Sequence, residues 1–268
     1  MTKNEINIKD YFVLKWQPMI SCNYNCSFCC QKKKKDYNID NILLNSKLIK
    51  EKIIDKINSD MLLSMSGGEL SVIDINIFLE ILDNLYSDKI KIIYITSNFS
   101  NSSEYYNKIY KWCFERNIEF LLETSFHEEF TKEEIFFNKI KELSFKPCNI
   151  QAVVTSKNTS FMKQIKERHP EIFFEPNYFE LPENIDFDFS NEELKRNNNK
   201  HSNENFGKKC FQKQISVKEN GDVYNNNCKL LKYGNLNSNI KIPSKEFYIT
   251  CSNTKCNYCN VQDTKWQN

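Results

Sequence analysis

"YFVLKWQPMISCNYNCSFCC", residues 11–30, runs an apolar stretch into four cysteines within nine positions, Cys22 to Cys30. Its first six residues are mostly aromatic or β-branched, which reads as a strand, YFVLKW over 11–16. The cysteines then fall as C-x3-C-x2-C at Cys22, Cys26 and Cys29, with Phe28 just before the third. Disulfides, a zinc site and an iron–sulfur cluster all use such sets, and the spacing alone leaves the three open.

The surroundings narrow the choice. The start, MTKNEINIKDYF over 1–12, is polar and has no apolar core of a secretory signal, and no apolar stretch approaches the length a membrane helix needs. A cytoplasmic protein is therefore expected, with no membrane partner. In a reducing compartment, 11 cysteines among 268 residues read as metal or redox ligands rather than as a disulfide framework. A net charge of +2 gives no general attraction to nucleic acid, and the KKKK run at 32–35 reads as a solvated loop.

Working outward, apolar runs alternate with amphipathic ones. Strands are expected at 11–16, 61–65, 90–96, 118–124, 149–155 and 171–175, with helices at about 41–58, 73–86, 102–116, 131–144 and 158–168. Asp74, Ser102, Thr131 and Ser156 stand where N-caps or first-turn residues belong. Near-continuous apolar strands imply burial on both faces, and six βα units in series imply an α/β domain with a parallel sheet. Around 183–207 the chain turns polar and Asn-rich, with a short helix expected near 190–196. The expected division is 1–185 and 186–268. The second part holds a hairpin, ISVK–ENGD–VYNN, with Cys210 before it and Cys228 after it, then a C-x2-C pair at Cys256 and Cys259.

In parallel α/β folds functional residues gather at the carboxyl ends of strands. SGGEL (66–70), SN (97–98), SFHEE (125–129) and EPN (175–177) all follow expected strands. The chain has only 5 glycines, where average usage would give about nineteen. An adjacent pair, Gly67 and Gly68, straight after a strand therefore marks a backbone that a ligand approaches closely. Glu69 beside it suits the ammonium of an amino-acid-like ligand.

C-x3-C-x2-C after the first strand and GGE after the second together resemble the radical S-adenosylmethionine (radical SAM) superfamily, over roughly residues 11–180. The resemblance implies a partial (β/α)6 TIM-like barrel. It implies that Cys22, Cys26 and Cys29 hold a [4Fe–4S] cluster whose fourth iron binds S-adenosylmethionine (SAM). Gly67, Gly68 and Glu69 would meet the SAM amino group, Phe28 would lie near the adenine, and Ser97, Asn98 and Ser125 near the ribose and carboxylate. The reduced cluster of that family cleaves SAM to methionine and a 5′-deoxyadenosyl radical, which takes a hydrogen from substrate. A flavodoxin- or ferredoxin-type reductant would supply the electron.

The C-terminal part resembles the "twitch" domain, a shortened SPASM domain with one auxiliary [4Fe–4S] cluster. The resemblance assigns that cluster to Cys210, Cys228, Cys256 and Cys259, in a small Cys-rich α+β domain built on a β-hairpin, with an electron-accepting role. Cys251 is an uncertain further ligand, and four thiolates at this spacing suit zinc as well. Cys30, Cys113 and Cys148 read as small buried hydrophobes.

For catalysis on substrate, His127 is the best acid/base candidate and Glu175 the second, with Asn177 and Tyr178 near the junction of the two parts. A cluster starting at Cys22 leaves no room for an N-terminal leader-binding domain. That favours a small-molecule oxidoreductase acting on a sugar, aminocyclitol or similar metabolite. A peptide-modifying enzyme (oxidation, epimerisation or crosslinking) is the alternative. A non-catalytic zinc module touching nucleic acid is a remote third, disfavoured by near-neutral charge and by the GGE motif.

Overall fold

The computed structural model describes residues 10–27, 29, 36–170, 174–178, 207–225, 231–242, 247–250 and 266–267. For 174–178, 210–212, 247–249 and 266–267 only the backbone is described. Six strands, β1 (Phe12–Trp16), β2 (Met61–Met65), β3 (Ile90–Ser97), β4 (Glu119–Phe126), β5 (Asn149–Val154) and β6 (Phe174–Tyr178), lie side by side in chain order. All five pairings among them are parallel. The helices α1 (Ile39–Lys52), α2 (Ile75–Leu85), α3 (Ser103–Phe114), α4 (Glu133–Lys141) and α5 (Thr159–Arg168) connect them. The fold is thus α/β with a parallel-dominated sheet, as expected.

The helices form where amphipathic spacing meets a cap. In α2 the Asp74 side chain accepts from the Asn76 N–H at 2.9 Å, and Phe78, Ile81, Leu82 and Leu85, spaced i, i+3, i+4, i+7, are buried. In α1 the Asn38 side chain accepts from the Asn41 N–H. The expected starts of the last two helices shift: the cap positions are Lys132 and Asn158, not Thr131 and Ser156. Asn158 is drawn there by its amide, which donates to the Val153 carbonyl at 2.9 Å while its oxygen accepts from the Thr155 N–H.

Sequential parallel strands joined by right-handed crossovers send every helix to the same face. That face carries the main core, where Leu14, Trp16, Leu63, Met65, Ile93, Ile95, Leu122 and Ile150 meet the helices. On the opposite face Val13, Leu62 and Ile92 form a separate cluster with Tyr11, Tyr94 and Leu121. Side chains alternate along a strand, so the residues further along this second face are Lys15, Ser64, Thr96, Glu123, Ser125 and Gln151. It is apolar towards the strand starts and polar towards the strand ends.

Beyond the Asn-rich connector, β8 (Gln214–Val217) lies parallel to β1, with Leu14 opposite Ile215 and Trp16 opposite Val217. It forms the expected hairpin with β9 (Asp222–Tyr224), and β10 (Lys232–Asn235) adds to β9, so these strands extend the sheet that carries β1 to β6. The hairpin turns at Gly221, whose φ of 81° suits glycine. A second, three-stranded sheet places β7 (Lys209–Gln212) between β11 (Phe247–Thr250) and β12 (Trp266–Gln267). The expected boundary at 185/186 and the helix near 190–196 lie outside the described residues. Among the described residues no helix is long and apolar enough to cross a membrane.

Candidate active site

The base of the cysteine loop is pinned by the loop after β2. Beyond the strand ends the pairing of β1 and β2 continues: Ser66 N–H donates to the Trp16 carbonyl at 3.1 Å, Gly68 to Met19 at 2.9 Å and Glu69 to Ser21 at 2.9 Å. These bonds explain the glycine pair. A Cβ on Gly67 would sit 2.4 Å from the Met19 carbonyl oxygen, and one on Gly68 only 1.7 Å from that of Ser21. Gly67 also takes φ of 150°. The close approach expected of a ligand is made here by the chain's own backbone, one residue before Cys22.

Glu69 is 1% exposed. Its carboxylate accepts from the Ser71 N–H at 2.9 Å, the Ser97 hydroxyl at 2.8 Å and the Asn98 N–H at 2.6 Å. Burial pushes its pKa up, and the bonds from Ser71, Asn98 and Ser97 pull it back. The side chain expected to meet a ligand's ammonium therefore joins the ends of β2 and β3. What it holds is Asn98, whose amide donates to the Asn23 side-chain oxygen at 2.9 Å and lies 3.8 Å from the Cys22 sulfur. Phe99, next in the chain, takes φ of 54°, a strained value for a non-glycine residue. Its ring is buried against Tyr106 and Phe136, and the Lys139 ammonium donates to the carbonyls of Phe99 and Asn101. Packing and a half-buried cation hold the strained turn that presents Asn98.

The loop after β4 closes on the same cysteines from the other side. Nδ1 of His127 lies 3.5 Å from the Cys26 sulfur. Glu129 accepts from both the Ser27 hydroxyl, at 2.7 Å, and the Ser27 N–H, at 3.3 Å. Tyr24 stacks on Phe130 with centroids 4.5 Å apart and meets the edge of His127 at 5.7 Å. The loop itself is turned by the His127 carbonyl, which accepts from the N–H groups of Phe130 and Thr131. His127, foreseen as a substrate acid or base, thus has one ring nitrogen against a ligand-type thiol.

Cys22 and Cys26 are partly exposed and Cys29 is exposed, none of the three in a disulfide, and the Cys29 N–H donates to the Cys26 carbonyl at 3.2 Å in a tight turn. Among the described residues no three His, Cys, Asp or Glu side chains converge as ligands of a single ion. Three cysteines carried on one loop are donors of the type that hold an iron–sulfur cluster. Of the other expected site residues, Ser97 and Asn98 sit at the end of β3 as foreseen. Ser125 lies inside β4 rather than after it, on the face shared with Glu123. Glu175 and Asn177 lie within β6, with Glu175 opposite Gln151, because that strand runs on to Tyr178. Cys113 is buried as expected, and its thiol is pushed up to about 12 by burial, whereas Cys148 is exposed on the turn before β5. Phe28, Cys30, Cys228, Cys251, Cys256 and Cys259 lie outside the described residues. Cys210 is on β7, opposite Ile249 of β11 on one side and Trp266 of β12 on the other.

One group escaped the sequence reading. The Glu123 carboxylate, on the helix-free face, accepts from the Tyr94 hydroxyl, from Gln151 Nε2 at 3.0 Å and, at 3.4 Å, from the Thr96 hydroxyl and the Asn149 amide. The signal was present: in EFLLETSF (119–126) three of the four odd positions, Glu119, Glu123 and Ser125, are polar, and three of the four even ones, Phe120, Leu122 and Phe126, are apolar, the alternation of a strand with one polar face.

Residues 16–141 match a family model described as a 4Fe-4S single cluster domain. Among solved structures the fold is similar to that of anSMEcpe with bound AdoMet, with a TM-score of 0.57, 16% identity, and coverage of 85% of this chain and 78% of that one. It is equally similar to native anSMEcpe with bound AdoMet and Cp18Cys peptide, with a TM-score of 0.57, 14% identity, and coverage of 85% and 78%. No curated protein sequence matches the chain.

Proposed function

We propose that this chain, a radical SAM enzyme by its motifs, its 4Fe-4S family match and its fold, oxidises a small polar metabolite by hydrogen abstraction. The observation that carries the reading is the loop of Cys22, Cys26 and Cys29 at the end of β1, gripped by the Gly-Gly-Glu turn after β2 and the Ser-Asn turn after β3. When bound, the [4Fe–4S] cluster and SAM supply the electron and the carbon radical that take a hydrogen from substrate.

The protein's part is positioning. Cys22, Cys26 and Cys29 would hold the cluster, with Asn98 beside Cys22 and His127 beside Cys26. Gly67 and Gly68 let the turn after β2 close against residues 19–21, and the rim of that turn, with Ser125 and Phe28, is where SAM would be cradled. Glu69 acts through Asn98 rather than through its own carboxylate. The helix-free face suits the interior of a partial (β/α)6 barrel: its apolar cluster closes one end, and its polar band faces the end that bears the cysteines. Glu123, Tyr94, Thr96, Gln151 and Glu175 belong to that band. Such a layer of hydroxyl, amide and carboxylate groups suits a substrate rich in hydroxyls or amines, and Glu175 remains a candidate for proton transfer there.

The second cluster is assigned to Cys210, Cys228, Cys256 and Cys259. In support, Cys256 and Cys259 belong to a segment that starts after β11 and ends at β12, the two strands paired on either side of Cys210. It would accept the electron left on the substrate. A one-electron reductant of flavodoxin or ferredoxin type would serve the first cluster. A peptide substrate is the second reading, favoured by the likeness to a structure that holds the Cp18Cys peptide.

The test is iron, sulfide and zinc per chain after anaerobic reconstitution, together with 5′-deoxyadenosine formation. About eight irons are expected, and Cys26→Ala is expected to abolish SAM cleavage. About four irons would remove the second cluster, and zinc without iron would overturn the enzyme reading.

A further inference from the structure

We infer that the loop after β4 is a clamp on the cysteine loop, in which His127 sets the redox environment of the Cys26 ligand and Glu129 fixes the turn that carries Cys29. The inference rests on the reading that these cysteines hold a cluster. It goes beyond that reading because nothing in the C-x3-C-x2-C or GGE motifs specifies a partner for the second cysteine.

Three contacts of different chemistry carry it, and all join residues about a hundred positions apart. The first is Nδ1 of His127 at 3.5 Å from the Cys26 sulfur. The second is the double acceptance by Glu129 from the N–H and hydroxyl of Ser27, the residue between Cys26 and Phe28. The third is the aromatic sandwich in which Tyr24, between Cys22 and Cys26, stacks on Phe130 and meets His127 edge-on. Each contact grips a different point of residues 24–27, so the loop is held in position and in orientation. A carboxylate that accepts both donors of one serine fixes a turn more tightly than a single bond does. Ser27 and the Cys29-to-Cys26 backbone bond share that turn.

The chemistry of the first contact is directional. A ligating cysteine is a thiolate and carries no proton. Once Cys26 is a ligand, the short contact persists only if His127 bears its proton on Nδ1 and donates to the sulfur. Hydrogen bonds to cluster sulfurs are one of the levers that set reduction potential, and a donor favours the more negative, reduced state. His127 therefore raises the potential of the cluster and eases its reduction. It is a positioning residue, acting through Cys26 rather than on substrate.

The experiment compares the full-length wild type with His127→Phe, His127→Asn and Glu129→Ala after anaerobic reconstitution. The readouts are iron per chain, the midpoint potential of the reduced-cluster signal that SAM perturbs, and the rate of iron loss to a chelator. Phe keeps a ring against Tyr24 but removes the donor, whereas Asn places an amide near the position of Nδ1. The expected result is a more negative potential in His127→Phe, a return towards wild type in His127→Asn, and iron loss several-fold faster in Glu129→Ala. Equal potentials in wild type and His127→Phe would overturn the role of His127. Unchanged iron retention in Glu129→Ala would overturn the clamp. Should His127→Phe fail to fold, the Asn and Glu129→Ala variants decide: a wild-type potential with faster iron loss supports the inference, and unchanged iron loss defeats it. A wild type that takes up no iron would instead sink the cluster reading, and the clamp with it.

Discussion

Gly68 is where side-chain size alone decides whether the site can form. A methyl there would lie 1.7 Å from the Ser21 carbonyl oxygen, far inside contact distance, and the obstruction is backbone rather than a side chain that can swing away. Gly68→Ala should therefore push residues 19–21 away from β2, at about 3–5 kcal/mol, and lose iron uptake with it. Urea denaturation and iron content check both, and a variant with wild-type stability would show that this loop yields freely. Glu69 beside it makes a pH-dependent contribution. Burial raises its folded pKa above the ordinary value near 4.5. Its contribution is therefore fully present below the ordinary value and is lost as pH rises through the folded one. In Glu69→Gln an amide nitrogen must face donors that now meet a carboxylate, a loss of about 1–3 kcal/mol. The wild type should gain further on this variant as the solution is taken from neutral pH towards 4.5. Urea midpoints at several pH values measure that, and a gap that narrows on acidification would contradict the assignment.

At the scale of elements, β9, the second strand of the β8–β9 hairpin, is tied to β10 by one carboxylate. Asp222 accepts from Lys232 Nζ at 2.7 Å, from Asn235 Nδ2 at 2.9 Å and from the Tyr224 hydroxyl at 3.2 Å. The bonds from Asn235 and Lys232 lower its pKa from 3.8 to about 2. A depressed carboxylate stabilises above its unfolded pKa and ceases to do so as pH falls through the folded one. The wild type should thus lose an increment of stability between about pH 4 and pH 2 that Asp222→Asn does not lose, as thermal unfolding across that range would reveal. This hairpin was legible in the sequence because its turn is written in ENGD, just as β2 was legible in MLLSM. The end of β6 was less so, since Pro176 and Asn177, residues that strands rarely hold, lie inside it. Thr131 and Ser156 yielded to Lys132 and Asn158 because capping depends on where packing starts the helix, not on propensity alone. The Glu123 band was hidden for another reason: the apolar residues of β4 invited reading as a strand buried on both faces, and its alternation went unread. Least legible were contacts between distant loops. No local pattern announces that Ser27 meets Glu129, or that the Gly-Gly pair exists to admit Ser21.

At the scale of the whole molecule, the connector near 185–205 separates two stretches of sequence that both give strands, β1 to β6 and β8 to β10, to the same sheet. The Val13 N–H donates to the Lys213 carbonyl at 3.0 Å and the Gln17 N–H to that of Val217 at 2.9 Å, so β8 covers the edge of the strand that leads into the cysteine loop. Ile215, Val217, Val223 and Leu236 are at most 1% exposed, within the same core cluster as Leu14 and Trp16. Lys52, at the end of α1, donates to the Leu236 carbonyl at 2.6 Å and ties the helix layer to the same strands. Burying four aliphatic side chains of this size stabilises by about 6–12 kcal/mol as an upper estimate, comparable with the entire net stability of a domain, about 5–15 kcal/mol. A chain ending at residue 206 should therefore not unfold cooperatively, and its bare β1 edge should promote association. Size-exclusion chromatography and a thermal melt of that truncation provide the measurement. A monomer melting cooperatively near the full-length temperature would mean that the first 206 residues fold alone. Association without a cooperative melt would mean that the strands beside β1 are part of what holds the cysteine loop in place.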